Sequence, residues 1–385
     1  MTVAAQKPFF RRPPIILAIL VILAVLGFVI VGRLVSHYHI YQRTWASEIY
    51  RLGLSYQQTG QPERAIDQFR AALIYDPEND QIQLSLGRAL RDTGRLDEAE
   101  SYLLTLWERA PQDSTINLAL GRLAARRGNL EDVLRYYHNA IYGVWKSDPE
   151  ANRRMARFEL IEFLLQKNAN TEAQSELIAL LPTLPPDAGL HIRVADLFMR
   201  AQDAASALSQ YQDALREDRN NSAALFGAGQ AAFQLGRYRT AQNYLQSAVN
   251  ASPPEPRAKG PLQTANLVLQ SDPFRRGISD AERNRRIRSA LERAGERLDK
   301  CALTNGGVSA DLTPVSPELA SLKSQWNEMK PKLRTMNRQT ESDLPDAIMD
   351  LVFQIEQQTQ KNCGGAEGED LALLLISRDR AGVDR

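Results

Sequence analysis

LGLSYQQTG, Leu52 to Gly60, is followed 34 residues later by LGRALRDTG, Leu86 to Gly94, and 34 later again by LGRLAARRG, Leu120 to Gly128. Self-similarity at a fixed period of this size marks a chain built from stacked copies of one unit. The first copy carries Leu52, Gly53, Tyr56, Gly60, Ala65, Phe69, Ala72 and Pro77. The second has Leu86, Gly87, Leu90, Gly94, Ala99, Leu103, Leu106 and Pro111, and the third Leu120, Gly121, Ala124, Gly128, Val133, Tyr137 and Ala140. The register then slips by about six residues around GVWKSDPE, an insertion near 141–153. It resumes with Leu160, Leu164, Ala173, Leu177, Leu180 and Pro185. A fifth copy holds Val194, Ala195, Phe198, Ala207, Tyr211 and Ala214; a sixth holds Ala228, Gly229, Ala232, Gly236, Ala241, Leu245, Ala248 and Pro253.

Within each copy, two apolar runs at helical spacing flank a polar turn that usually holds glycine or asparagine. Small residues at the Leu-Gly and Ala positions let two antiparallel helices approach, and Phe69, Leu103 and Tyr211 fill the remaining space. Proline near the end of most copies stops the second helix. One such hairpin cannot bury its apolar face alone, so neighbours stack into a continuous core.

Leu-Gly, Tyr, Gly, Ala, Phe, Ala and Pro at these offsets resemble the tetratricopeptide repeat family, over about 46–255. The tryptophan usual near the start of the unit is missing, and copies four and five lack the Leu-Gly pair and the turn glycine. The resemblance implies an all-α fold, a superhelix of six helical hairpins whose first helices line a concave groove for a protein or peptide partner. By resemblance the groove positions include Tyr50, Leu54 and Gln57, then Leu84, Arg88, Arg91 and Asp92, then Leu118, Arg122 and Arg126. Later copies offer Phe158, Glu162, Ile192, Asp196, Met199, Phe226, Gln230 and Phe233. Arg88, Arg91, Arg122 and Arg126 suit a carboxylate, since guanidinium groups bind it through paired hydrogen bonds. The competing reading is a solvated face neutralised by Asp92, Glu98 and their neighbours. Some family members grip a terminal carboxylate with lysines, asparagine and arginine; the asparagines are absent here, so that activity is not carried over. The more apolar stretch from Phe158 to Phe233 suits a partner helix.

Outside the repeats, IILAILVILAVLGFVIVG, Ile15 to Gly32, runs 18 residues without a charge. That is roughly 27 Å of helix, close to the hydrocarbon thickness of a bilayer. The run exceeds the usual core of a cleaved signal, and no small-residue cleavage site follows it. It reads as an uncleaved transmembrane signal anchor over 15–33, after a short basic segment 1–14 and before a juxtamembrane linker 34–45. Tyr38, Tyr41 and Trp45 read as an interfacial aromatic belt. Lys7, Arg11 and Arg12 on one side against Arg33 and Arg43 on the other favour a cytoplasmic amino terminus, with the bulk of the chain extracytoplasmic or periplasmic.

After Pro253 the composition shifts, and SPPEPRAKGP reads as a linker or capping turn. Residues 256–385 then show three narrow apolar seams: Ile287, Leu291, Ala294, Leu298 and Cys301; Leu319, Leu322, Trp326, Met329, Leu333 and Met336; Leu344, Ile348, Leu351 and Ile355. These predict an antiparallel three-helix bundle, with Pro331 kinking the middle helix. Cys301 and Cys363 each end a helix just before glycines, and helices one and three of such a bundle run in the same direction. A disulfide is therefore geometrically reasonable and fits an oxidising compartment; two unpaired thiols are the alternative. The eight arginines of FRRGISDAERNRRIRSALERAGERL, interleaved with acidic residues, read as an ion-paired helix face. EDLALLLISRDR suits a short apolar helix docked on the bundle.

Net charge is +1, from 47 basic and 46 acidic residues, so no global field argues for nucleic acid. His37, His39, His138 and His191 have no partners at metal-ligand spacing, and no nucleophile elbow, phosphate loop or dinucleotide fingerprint occurs. The expectation is a binding protein with no cofactor and no enzymatic activity. It is either a membrane-anchored scaffold for envelope assembly or quality control, or an accessory subunit of a membrane enzyme complex.

Overall fold

A computed structural model describes residues 13–305, 317–333 and 343–383. Lys7, Arg11, Arg12 and Met336 lie outside the described residues. The fold is all-α. The repeats form successive helices: α1 (Pro13–Gln58) and α2 (Pro62–Tyr75), α3 (Asp80–Asp92) and α4 (Leu96–Arg109), α5 (Ser114–Arg127) and α6 (Leu130–Tyr142). Then come α7 (Pro149–Gln166) and α8 (Asn170–Leu180), α9 (Ala188–Arg200) and α10 (Ala204–Glu217), α11 (Ser222–Gln234) and α12 (Tyr238–Asn250).

Each first helix ends in the same way. Gly60, Gly94, Gly128 and Gly236 take φ of 71°, 82°, 75° and 70°, the left-handed conformation that costs glycine nothing. Copies four and five hold the same conformation without glycine, at Asn168 (φ 57°) and Gln202 (φ 63°). In all six copies the next amide donates back across the reversal: Gln61 to Tyr56, Arg95 to Leu90, Asn129 to Ala124, Ala169 to Leu164, Asp203 to Phe198 and Arg237 to Ala232. This is the Schellman closure, which satisfies carbonyls left open at a helix end. First helices also start alike, with Asn79, Asp113, Asp187 and Asn221 accepting hydrogen bonds from amides of the opening turn. The six-residue slip is taken up mainly by α7, which has 18 residues where α3, α9 and α11 have 13.

Packing gathers the chain into two compact units, 1–163 and 164–385. In the first, a side chain on each second helix lies over the glycine of the preceding first helix. A Cβ on Gly87 would fall 2.9 Å from Leu103, and one on Gly121 2.9 Å from Tyr137; Phe69 lies as close over Gly53. Phe69, Leu103, Ile66, Leu86, Leu90 and Leu106 are all fully enclosed. α1 departs from the expected layout, because the segment 34–45 is no linker. One helix runs without a break from Pro13 to Gln58. No proline or glycine occurs between Gly32 and Gly53 to interrupt it, so the apolar segment and the first helix of copy one are a single rod of about 69 Å.

In the second unit Leu245 lies over Gly229, repeating the device, and Tyr211 of α10 lies over Gly227 of α11. Packing does not break at the expected boundary of 255/256. A further helix, α13 (Lys259–Ser271), stacks on α12, and Tyr238 and Val268 join one core with Ile287, Leu291, Leu322, Ile348 and Leu373. The three expected helices are α14 (Asp280–Asn305), α15 (Pro317–Lys332) and α16 (Leu344–Cys363). α17 (Gly368–Val383) buries Ala372, Leu373 and Ile376 and packs on α13, α14 and α16. Pro331 lies inside α15 one residue before its last, Lys332, consistent with the amide proline lacks. Trp326 lies over Gly295 and donates from Nε1 to the Leu291 carbonyl at 2.7 Å. Cys301 and Cys363 are joined in a disulfide with Cα atoms 5.5 Å apart.

Many of the arginines of α14 are paired. Arg286 caps the end of α13 through the carbonyls of Leu269 (3.0 Å) and Asp272 (2.9 Å), and Arg293 binds Glu369 at 2.5 Å. Arg297 holds the fully buried Glu356 at 2.8 Å, with Asp370 at 3.7 Å. Burial pushes Glu356 up to about 8 despite the opposing pull of Arg297. Between its ordinary value of 4.5 and about 8 the folded chain therefore holds a proton that the unfolded chain has lost, and stability falls as pH rises through that window.

Two expectations follow. Gly121→Val pushes its side chain into Tyr137 and should cost about 1–3 kcal/mol of stability, measured by denaturant unfolding. Glu356→Gln, which imitates the neutral carboxyl, should show a flatter decline of melting temperature than the wild type between about pH 5 and pH 8. Parallel melting profiles would contradict the assigned proton.

Candidate partner-binding groove

Arg88 on α3 and Arg122 on α5 occupy the same place in copies two and three, six residues before the left-handed glycine, and Arg91 follows Arg88 by one helical turn. Their environments differ. Arg122 is saturated: Nε and Nη2 grip both oxygens of Glu159 at 2.8 and 2.6 Å. The Tyr137 hydroxyl donates to the same carboxylate at 3.2 Å. That pairing raises the Arg122 pKa, and burial together with the neighbouring carboxylate pushes the Tyr137 phenol well up.

Arg91 binds Asp92 through Nε (2.9 Å) and Nη2 (2.6 Å), while its Nη1 is buried without a hydrogen-bond partner. Arg88 is half-buried, and its Nε likewise has no partner. Burial lowers the Arg88 pKa, and the positive charges of Arg122 and Arg91 lower it further. Two guanidinium groups thus stand close together, each with one buried donor unmet; Arg91, like Arg122, has a carboxylate counter-ion in Asp92. Arg126 is apart from this group in character, exposed in the last turn of α5.

Other groove positions fall into three kinds. Tyr50, Leu54 and Leu84 are partly exposed, and the Tyr50 hydroxyl lies 2.9 Å from Ser85 Oγ. Leu118 and Phe158, expected to line the groove, are buried at 2% and 6% exposure and so belong to the core. In the second unit Ile192 and Met199 are partly exposed. Phe226 is covered by the Arg257 guanidinium, 4.8 Å above its ring and held there by Glu255. Phe233 is turned to other use: it packs edge-on to Tyr238 at 5.3 Å, against the core that α13–α17 share. The apolar zone expected from Phe158 to Phe233 is therefore reduced to Ile192 and Met199 with a capped Phe226.

Reading the repeats missed Glu159, the residue that neutralises Arg122. It lies one turn before the groove position Glu162 on the lengthened α7, where a 34-residue template gives no signal. Asp196, placed in the groove, accepts from the buried Tyr211 hydroxyl at 2.5 Å, and His191 Nδ1 lies 2.9 Å from Gln210 Oε1. Among the described residues no group of three His, Cys, Asp or Glu side chains lies together to hold a metal ion.

Models of the tetratricopeptide repeat match residues 50–114, 90–151 and 198–262. The unmatched stretch between, 152–197, holds most of copy four, which lacks a turn glycine, and the start of copy five. No curated protein matches the chain. Among solved structures, PilF of Pseudomonas aeruginosa is 18% identical with a TM-score of 0.39, over 55% of this chain and 95% of its own. PilW, a type IV pilus biogenesis factor, is 17% identical with a TM-score of 0.39, over 57% of this chain and 98% of its own. A tetratricopeptide repeat protein of Parabacteroides merdae is 14% identical with a TM-score of 0.38, over 80% and 98%. These likenesses carry no functional inference. The 34-residue register, the shared reversal in six consecutive helix pairs and the matched repeats together make this chain a tetratricopeptide-repeat protein, built on a protein-interaction scaffold.

Proposed function

We propose that the chain is a membrane-anchored adaptor whose first three repeats hold an acidic segment or free carboxy terminus of a partner protein, in the assembly or quality control of a cell envelope. The observation that carries the ligand class is the pair of buried, unmet donors on Arg88 and Arg91. Leaving a buried charged donor unpaired is costly, and like charges nearby add to the cost. A carboxylate brought to the half-exposed Arg88 offsets the repulsion that Arg122 and Arg91 exert on it. Arg122 does not compete for it, because Glu159 already occupies its fork. Neutral ligands gain nothing comparable.

The anchor is supported by α1, whose apolar part is long enough and hydrophobic enough to cross a bilayer. An extracytoplasmic location for the remainder is supported by the Cys301–Cys363 bond, since disulfides persist in oxidising compartments.

Fluorescence anisotropy with a short peptide ending in glutamates and a free carboxylate tests the ligand. Arg88→Ala with Arg91→Ala should weaken binding by about tenfold to a hundredfold, the worth of one or two charge-assisted bonds. Arg126→Ala should leave it unchanged. Equal affinity for wild type and double variant would end the carboxylate reading. For the compartment, thiols alkylated in intact cells without reductant should leave Cys301 and Cys363 unmodified until the sample is reduced. Replacing both by alanine should cost about 4 kcal/mol, the loop-entropy value for a separation of 62 residues.

A further inference from the structure

Beyond the apolar run, α1 carries a second pattern. Leu34, Tyr38, Tyr41, Trp45 and Leu52 follow steps of four, three and four residues, with Glu48 completing the series between the last two. That is heptad spacing, which places the six residues on one stripe of a helix. The five apolar members are between 45% and 64% exposed. Traced back into the apolar run, the same register passes through Val31, Gly27 and Ala24, small or slender residues of the kind that let two helices approach inside lipid.

The stripe has a definite relation to the rest of the molecule. α2 covers α1 through Ala46, which is 1% exposed, with Phe69 lying over Gly53 and its ring 5.5 Å from that of Tyr50. In a heptad whose a and d positions are Tyr38, Tyr41, Trp45, Glu48 and Leu52, Ala46 and Gly53 are b and Tyr50 is f. Positions b and f point away from a coiled-coil partner, so the hairpin occupies the side of α1 that a partner helix leaves free.

Lipid does not cover this stripe beyond Tyr38. Trp45 is 13 residues past Gly32 and Leu52 is 20 past it, about 20 and 30 Å along the helix. The headgroup layer is only about 5–8 Å deep on each side. Tyr38 reaches its edge; Trp45, expected in an aromatic belt, stands well outside.

We infer that α1 pairs with α1 of a second copy of this chain in a parallel two-stranded coil that begins in the bilayer and continues to Leu52. The inference rests on the anchor reading, because a shared membrane holds two copies parallel and at equal height, so identical residues meet. Glu48 is the single charge on the seam and pairs with Arg51 of its own helix, which spares it an uncompensated approach to its twin. Such a polar seam position fixes register at some cost in stability.

Cysteine scanning of the full chain in native membranes tests the pairing. Single cysteines at 34, 38, 41, 43, 45 and 47 are oxidised with copper phenanthroline, Cys301 and Cys363 being already bonded to each other. Tyr38→Cys, Tyr41→Cys and Trp45→Cys should give covalent dimer at least tenfold above Arg43→Cys and Ser47→Cys. A chain that resists alkaline extraction from the membrane yet shows no dimer, or a maximum at 43 or 47, overturns the coil and leaves the anchor standing. A chain released by alkaline extraction overturns both.

Discussion

Every later feature depends on how each first helix stops. A single left-handed residue, closed by an amide reaching back over five residues, reverses the chain at the same point in all six copies. The reversal fixes which side chain of the second helix meets which residue of the first. That is why Phe69, Leu103, Tyr137 and Leu245 each find a glycine opposite them. Asn168 and Gln202 show that the geometry, not the glycine, is what the fold requires. A residue with a Cβ pays roughly 1–2 kcal/mol for this conformation, and the packing on either side over-determines it.

The groove's chemistry is decided by which charges have already found partners. The eight arginines along the stretch that includes α14 read in sequence as an ion-paired face, and Arg286, Arg293 and Arg297 are indeed committed to carbonyls and carboxylates of their own unit. In the first unit one acidic residue, Glu159, takes Arg122 out of play and thereby sharpens the distinction between it and Arg88. Counting charges along the chain cannot separate these cases. Only the pairing does.

What the sequence reveals follows from what repeats. Helix pairs, their reversals and the place of the insertion are legible because each copy restates the same local physics, and a copy that lacks one signature residue is carried by its neighbours. What occurs once is harder to see. α13 lacks the Leu-Gly pair, and α7 absorbs most of the insertion as extra helix. Leu118 and Phe158 occupy positions that line a groove in an average repeat but turn inward here, because burial depends on the neighbouring copies as well as on the offset within one. The continuity of α1 left no mark except an absence, since no helix breaker occurs between Gly32 and Gly53.

That continuity limits how the first repeat can behave. With no joint between Pro13 and Gln58, α2 cannot swivel about the apolar segment; a twist of that segment about its long axis turns the hairpin through the same angle, and a lean displaces it in proportion to its distance from the pivot. Orientation of the arginine pair is thus slaved to whatever grips the far end of the shaft. Two or three glycines inserted after Arg33 would uncouple heading from grip without touching a single contact in the repeats.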